Sequence, residues 1–287
     1  MAERTTITRK ISAKSAERKK ADNGGKIKRL APYGWEIFVV VFVLVLLVTG
    51  TYLRNTIWNS DIELWIDCVK KSPNKVRPHN NLGVAYAHQR RFLEAFREFT
   101  EALRMDPDNA KTHYNLGNAY IDQGNYEEAI NQFVKAIRID SNLAEVHSNL
   151  GDAYSHQGRL QEALAELTEA LRIDPESAEA HNNLGNVYIR QGKHQEAMTH
   201  FIEALSINAS IAKTHNNLGN AYTHEGRYHE AIAHFAQALQ IDPDYAEAHY
   251  NLAIAYLKKG DNNSALREYQ ILKKLNPALA DGLLRKD

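Results

Sequence analysis

The chain has 287 residues, with 35 basic and 35 acidic side chains, 44% hydrophobic content and one cysteine. One cysteine excludes an intrachain disulfide framework. The zero formal charge is unevenly placed: residues 1–36 hold ten Lys/Arg against four Asp/Glu, while the remaining 251 hold 25 against 31, a net-acidic region that excludes nucleic acid as the expected partner.

Residues 1–36 read as a basic leader without a packed core, carrying Arg9, Lys10, Lys14, Arg18, Lys19, Lys20, Lys26, Lys28 and Arg29. Residues 37–53 follow as IFVVVFVLVLLVTGTYL, seventeen residues without a charge. As a helix these span roughly 26 Å, the short end of what crosses a hydrocarbon core. Tyr33 and Trp35 before the run, and Tyr52 and Trp58 after it, are placed like interfacial anchors. The basic flank predicts a cytoplasmic leader, with everything beyond Arg54 on the other side. Val48-Thr49-Gly50 offers a small-residue site for signal cleavage, but the run exceeds the usual ~7–15 apolar residues of a signal peptide and is read as an uncleaved single span. The simplest setting is a bacterial inner membrane with the repeats facing the periplasm.

From residue 76 the sequence repeats itself every 34 residues: His79/Asn81, His113/Asn115, His147/Asn149, His181/Asn183, His215/Asn217 and His249/Asn251. The units are 76–109, 110–143, 144–177, 178–211, 212–245 and 246–279, numbered here so that Ala110 is position 1. A period of this length is the signature of stacked helix pairs, an all-α solenoid in which each unit buries its apolar face only against its neighbours. Position 8 is glycine or alanine and position 24 is large (Phe99, Phe133, Leu167, Phe201, Phe235, Tyr269), so a ring from one helix is expected to enter a gap in the other. Glycine at position 15 (Gly124, Gly158, Gly192, Gly226, Gly260) is expected to end the first helix in the left-handed conformation, with Arg90 breaking the pattern in the first unit. Prolines 107, 175, 243 and 277 are expected to end the second helices, and Ser141 and Ala209 predict more continuous junctions in two units.

Extending the register backwards over residues 54–75 puts Trp65 at position 24, Cys68 at position 27 and Pro73 at position 32. Residues 61–72 are therefore expected to form a degenerate half-repeat that caps the solenoid, with Cys68 as a small packing residue. The tail 280–287 is expected to begin another first helix that shields the opposite end.

Over 76–279 this pattern resembles the tetratricopeptide repeat family. That resemblance implies antiparallel helix pairs forming a right-handed superhelix whose inner surface is lined by the first helices. The stretch Arg54-Asn55, Trp58, Asp61, Leu64-Trp65 also resembles the span-to-repeat junction of C-type membrane glycosyltransferases, although this chain has one span and no multi-span catalytic part.

Thirteen histidines invite a metal or haem reading. Equivalent residues of adjacent repeats lie about 10 Å or more apart, whereas two histidines on one zinc must both be about 2.1 Å from it. His194/His200 and His229/His234 are not spaced i, i+4 either. The imidazoles are read as packed between helices, and neither a cofactor nor a metal is expected. No nucleophile–base pair or phosphate-binding glycine loop is visible, so catalysis is not expected.

Positions 2, 5, 9 and 12 share the inner face. They include Lys111, Lys213, Tyr114, Tyr250, Asn182, Asn216, Asn118, Asn186 and Asn220, and Asn81, Asn115, Asn149, Asn183, Asn217 and Asn251 at position 6 join them in an amide-rich track. Asparagine offers both a donor and an acceptor, so it can pair with an extended backbone whatever the side chains are. The competing role for position 6 is to stabilise repeat junctions. The track resembles the asparagine ladder in the repeats of O-linked N-acetylglucosamine transferase. A carboxylate clamp is not expected, because Glu145, Glu179 and Glu247 alternate with Arg77, Lys111 and Lys213 at position 2. The expected function is a membrane-anchored scaffold or adaptor that binds an extended polypeptide or organises a membrane complex. An accessory module of a glycosyltransferase system is the alternative, and a metal or haem carrier is the remaining one.

Overall fold

The structure is a computed structural model that describes residues 38–46 and 60–284. By contact it divides into two units, residues 1–67 and 68–287. Within the first, 38–46 are helical (α1), and Phe38 is 70% exposed. Among the described residues no helix is long and apolar enough to cross a membrane; the rest of the expected span, the basic leader and the Arg54–Trp58 part of the junction lie outside them. Helix α2 is Asp61–Lys71, carrying Trp65 and Cys68, both half-buried.

Twelve helices follow in pairs: α3 Val76–His88 and α4 Phe92–Met105; α5 Ala110–Gln123 and α6 Tyr126–Ile139; α7 Ala144–His156 and α8 Leu160–Ile173. The other three pairs are α9 Ala178–Arg190 with α10 His194–Ile207, α11 Ala212–His224 with α12 Tyr228–Ile241, and α13 Ala246–Lys259 with α14 Asn262–Leu275. Helix α15, Pro277–Leu284, ends the described chain and starts three residues before the expected stub. No strand occurs among the described residues.

The pairs close because position 24 fills the notch at position 8. Phe133 is fully buried, and a Cβ added at Gly117 would lie 2.4 Å from its Cε1. Gly83, Gly151, Gly185 and Gly219 stand in the same relation to Phe99, Leu167, Phe201 and Phe235. Each core cluster also crosses into the next repeat: Phe99 packs with Leu116 and Ala119, and Phe201 with Leu218 and Ala221. Every internal unit therefore buries apolar surface on both sides, at roughly 1.5–3 kcal/mol per large side chain.

One expectation about helix ends is corrected, and one departure is explained. Arg90, which stands where the other units have glycine, takes a φ of 58°, the left-handed conformation that glycine supplies there, and its N–H bonds the Ala87 carbonyl. The junctions at Ser141 and Ala209 are no more continuous than the others, since α6 stops at Ile139 and α10 at Ile207, in register with α8 at Ile173. The stop comes from position 31. Asp140 and Asn208 turn to extended backbone, and their side chains accept the N–H two residues on, at 3.0 and 2.9 Å. Asp174, which does precede a proline, makes the same bond at 3.1 Å. An acceptor side chain at this turn ends the helix with or without proline.

Candidate functional site

The first helices carry both ladders, and the structure separates them. Each histidine at position 4 is turned inward. Its Nε2 faces the carbonyl of the preceding turn, and its Nδ1 faces position 23 of its own second helix: for His79 these are Pro73 at 3.1 Å and Glu98 at 2.6 Å. The imidazoles thus latch three segments together, as the packing reading expected. Among the described residues no group of three or more His, Cys, Asp or Glu is arranged to hold a metal ion.

The asparagines at position 6 point across the seams between repeats. Asn115 donates from Nδ2 to Asn80 Oδ1 at 2.9 Å, Asn183 to Ser148 Oγ at 3.3 Å, and Asn251 to Asn216 Oδ1 at 2.9 Å. Asn149 donates to Asn118 Oδ1 at 2.8 Å and to the Tyr114 hydroxyl at 3.4 Å; Asn217 donates to Asn182 and Asn186 at 3.1 and 2.9 Å. Asn81, in the first repeat, accepts from Asn80 at 3.1 Å. Sequence reasoning weighed a junction role for these residues but could not name their partners, which lie 31 or 35 residues earlier, at positions 9 and 5 of the preceding repeat. Asn182 and Asn216, expected to face a ligand, are buried and accept these seam bonds, and Asn182 also accepts from Thr214 at 3.1 Å. Asn118, Asn186 and Asn220 stay half-buried at position 9, with Asn220 outside the seam network; Tyr250 is half-buried, and Lys111 and Lys213 are exposed at position 2.

Between the second and third repeats the seam opens into a cleft of about 570 Å³. Lys111, Tyr114, Leu143, Glu145 and Val146 line it, with Asp140 and Asp174 on its edge. Tyr114 half-closes one wall, its ring 6.1 Å from that of Phe133. Desolvation, reinforced by the charges of Glu145 and Glu179, pushes its hydroxyl above the ordinary phenol range, while a bond with Asn118 opposes this. Glu179 is solvent-exposed as a residue, yet desolvation of its carboxyl, then repulsion from Asp152 and Glu145, raises it above the usual carboxylate range, with Lys213 acting the other way. The face therefore joins an apolar-walled cleft, a row of amides and a group of carboxylates flanked by Lys111 and Lys213. Sequence reasoning placed most of these residues on one face but missed the contribution of the inter-repeat turn, Asp140 and Leu143, because a turn has no helical periodicity to follow.

Tetratricopeptide repeat profiles match at 76–109, 98–131, 178–210 and 247–278, and the TPR repeat profile matches at 117–158, 151–192 and 219–260. The chain belongs to the tetratricopeptide repeat family. Comparison with curated proteins gives no match. Among solved structures, a chain of the APC/C hetero-tetramer Cut9-Hcn1 superposes with a TM-score of 0.73 at 24% identity, covering 85% of this chain and 52% of that one. This tetratricopeptide repeat chain thus spans about half the length of that relative. PilW, a type IV pilus biogenesis factor, superposes at 0.66 with 19% identity, over 73% of this chain and 98% of that one. Pseudomonas aeruginosa pilF gives 0.63 at 23% identity, over 74% and 97%. At these identities the likeness is one of fold. These comparisons carry neither the glycosyltransferase junction nor the asparagine-ladder resemblance.

Proposed function

We propose that this repeat protein is a non-catalytic scaffold or adaptor, anchored in a membrane through residues 37–53, that holds an extended polypeptide segment along the face built by α5, α7, α9 and α11. The observation that carries this reading is the open cleft between α5 and α7. It adjoins the seam amide of Asn149, whose donor is engaged by Asn118 and Tyr114 while its Oδ1 has no partner among the described residues; Asn217 repeats this arrangement further along the face. An extended strand supplies backbone N–H groups to such acceptors, and the cleft takes one apolar side chain. Solved neighbours, an APC/C assembly and a pilus biogenesis factor, support a role in complexes.

Site-directed photo-crosslinking tests this in the full-length chain without perturbing the seams. Crosslinkers at Lys111, Lys213 and Asn220 are expected to give discrete adducts, whereas crosslinkers at the outward Asn131 and Gln195 give none; adducts from the outer positions alone overturn the groove reading. Anchoring is supported by the exposed apolar run of α1, from Phe38 at 70% to Leu46 at 54%. Alkaline carbonate is expected to leave the protein in the membrane pellet, and release into the supernatant refutes the anchor.

A further inference from the structure

The six position-4 imidazoles are held alike at one end and differently at the other. Each Nε2 lies 3.0–3.3 Å from a backbone carbonyl, that of Pro73, Pro107, Ser141, Pro175, Ala209 or Pro243. A carbonyl only accepts, so Nε2 carries a proton in every repeat. At the Nδ1 end, repeats 1, 3 and 6 present a carboxylate, Glu98, Glu166 or Glu268, at 2.6 Å. Against an ionised carboxylate, a ring that donates from both nitrogens satisfies both contacts. Repeat 2 presents the Gln132 amide at 2.8 Å, which can offer either its oxygen or its NH2. Repeats 4 and 5 present a second imidazole: His181 Nδ1 lies 3.2 Å from His200 Nδ1, and His215 Nδ1 lies 3.1 Å from His234 Nδ1.

These two pairs work with one arrangement of protons. Since Nε2 of His181 serves the Pro175 carbonyl, Nδ1 of the neutral ring is a lone pair, and His200 must supply the N–H; His215 and His234 repeat this logic. In both pairs the ring centroids are 5.4 Å apart, which exceeds the nitrogen separation by nearly two ring radii, so the nitrogens meet head-on. An ion at about 2.1 Å from both would have to sit off that line, so the geometry suits a proton and not a metal. One added proton can enter at the far nitrogen of His200 or His234 and leave the bond intact. The next must enter at Nδ1 of His181 or His215 and sets one N–H against another on two cations.

We propose that repeats 4 and 5 form an acid-sensitive joint: in acid, the second protonation of the His181–His200 and His215–His234 pairs loosens α9 from α10 and α11 from α12, while the other four repeats stay latched.

The surroundings favour this. Tyr188 stacks on His200 and Tyr222 on His234, at 5.4 and 5.5 Å, and those rings are themselves covered by Lys193 and Arg227, which do nothing to stabilise an added positive charge. The neighbouring carboxylates at position 23, Glu166 on α8 and Glu268 on α14, are engaged by their own histidines, 147 and 249. Glu203, one turn along α10 from His200, opposes the effect. A third imidazole pair falls in the same joint, with His194 on α10 stacked 4.7 Å from His224 on α11 and its Nδ1 buried without a partner. Burial first, then the partner's charge, holds His200 and His234 below the ordinary imidazole value of 6.5. The folded pairs thus bind fewer protons than the unfolded chain, and stability is lost as pH falls through the unfolded value. His249 has the opposite sign: the bond to Glu268 raises it, so its contribution is present at low pH and fades as pH rises through its folded value.

The joint is independent of what the groove binds. Hydrogen exchange of the full-length chain at about pH 7.5 and 5.5, corrected for the chemical exchange rate, is expected to show protection across 178–241 falling about tenfold more than across 110–173. The double variant His200→Gln, His234→Gln copies the arrangement of repeat 2 and is expected to abolish the difference. Equal loss in all repeats, or a variant that keeps the local loss, overturns the proposal. A variant that fails to fold leaves imidazole NMR of the native chain at neutral pH: His181 and His215 are expected as Nε2–H tautomers and His200 and His234 as Nδ1–H donors, and the opposite tautomers overturn the proposal.

Discussion

The interior of each helix pair and the seams between pairs obey different rules. Inside a pair the contact is apolar and nearly invariant: a ring or leucine at position 24 against a residue without a side chain at position 8, four of the five such glycines facing a fully buried phenylalanine. Across every seam on the first-helix face the Nδ2 of position 6 donates, but its acceptor changes from an asparagine to a serine or a tyrosine. Apolar burial is non-directional and collects most of the folding free energy, so a working pair leaves little room for variation. A hydrogen bond is worth far less net and accepts several partners, so the seam can vary, and with it the cleft beside Tyr114.

That contrast is easiest to break from the interior. Phe133→Ala removes a fully buried ring and is expected to cost about 3–5 kcal/mol, read as a lower urea midpoint. Next is Gly117→Ala, where the new methyl meets the Phe133 ring and is expected to cost about 1–3 kcal/mol; a neutral result would mean that the ring can move aside. Asn217→Ala deletes two seam bonds, but the site is only partly buried, so roughly 1–2 kcal/mol is expected, with hydrogen exchange accelerating in α11 and not in α5. A loss as large as that of Phe133→Ala would erase the distinction between interior and seam. The smallest effect belongs to the outer surface: Arg172→Ala removes an exposed 2.7 Å pair with Glu169 and is expected to leave the melting temperature unchanged.

The 34-residue period, the helix pairs and the inward histidines could be read directly from the chain, because they follow from local chemistry repeated in register. Small at position 8 and large at position 24 implies a packed pair, and left-handed backbone at position 15 invites glycine. Where the reading slipped, local chemistry had a second solution: Asp140 and Asn208 end their helices without the proline that seemed necessary. At the one break in the glycine pattern, Arg90 bears the conformation that glycine takes elsewhere, at some strain. The tertiary structure decided what lies across a hairpin or a seam. His181 meets His200 19 residues away, and Asn217 meets Asn182 35 residues away, on a neighbouring helix. No periodicity along one helix reveals such pairs, because they are set by how far each pair is rotated and shifted against the next, and that rotation is the outcome of the whole apolar interior packing at once.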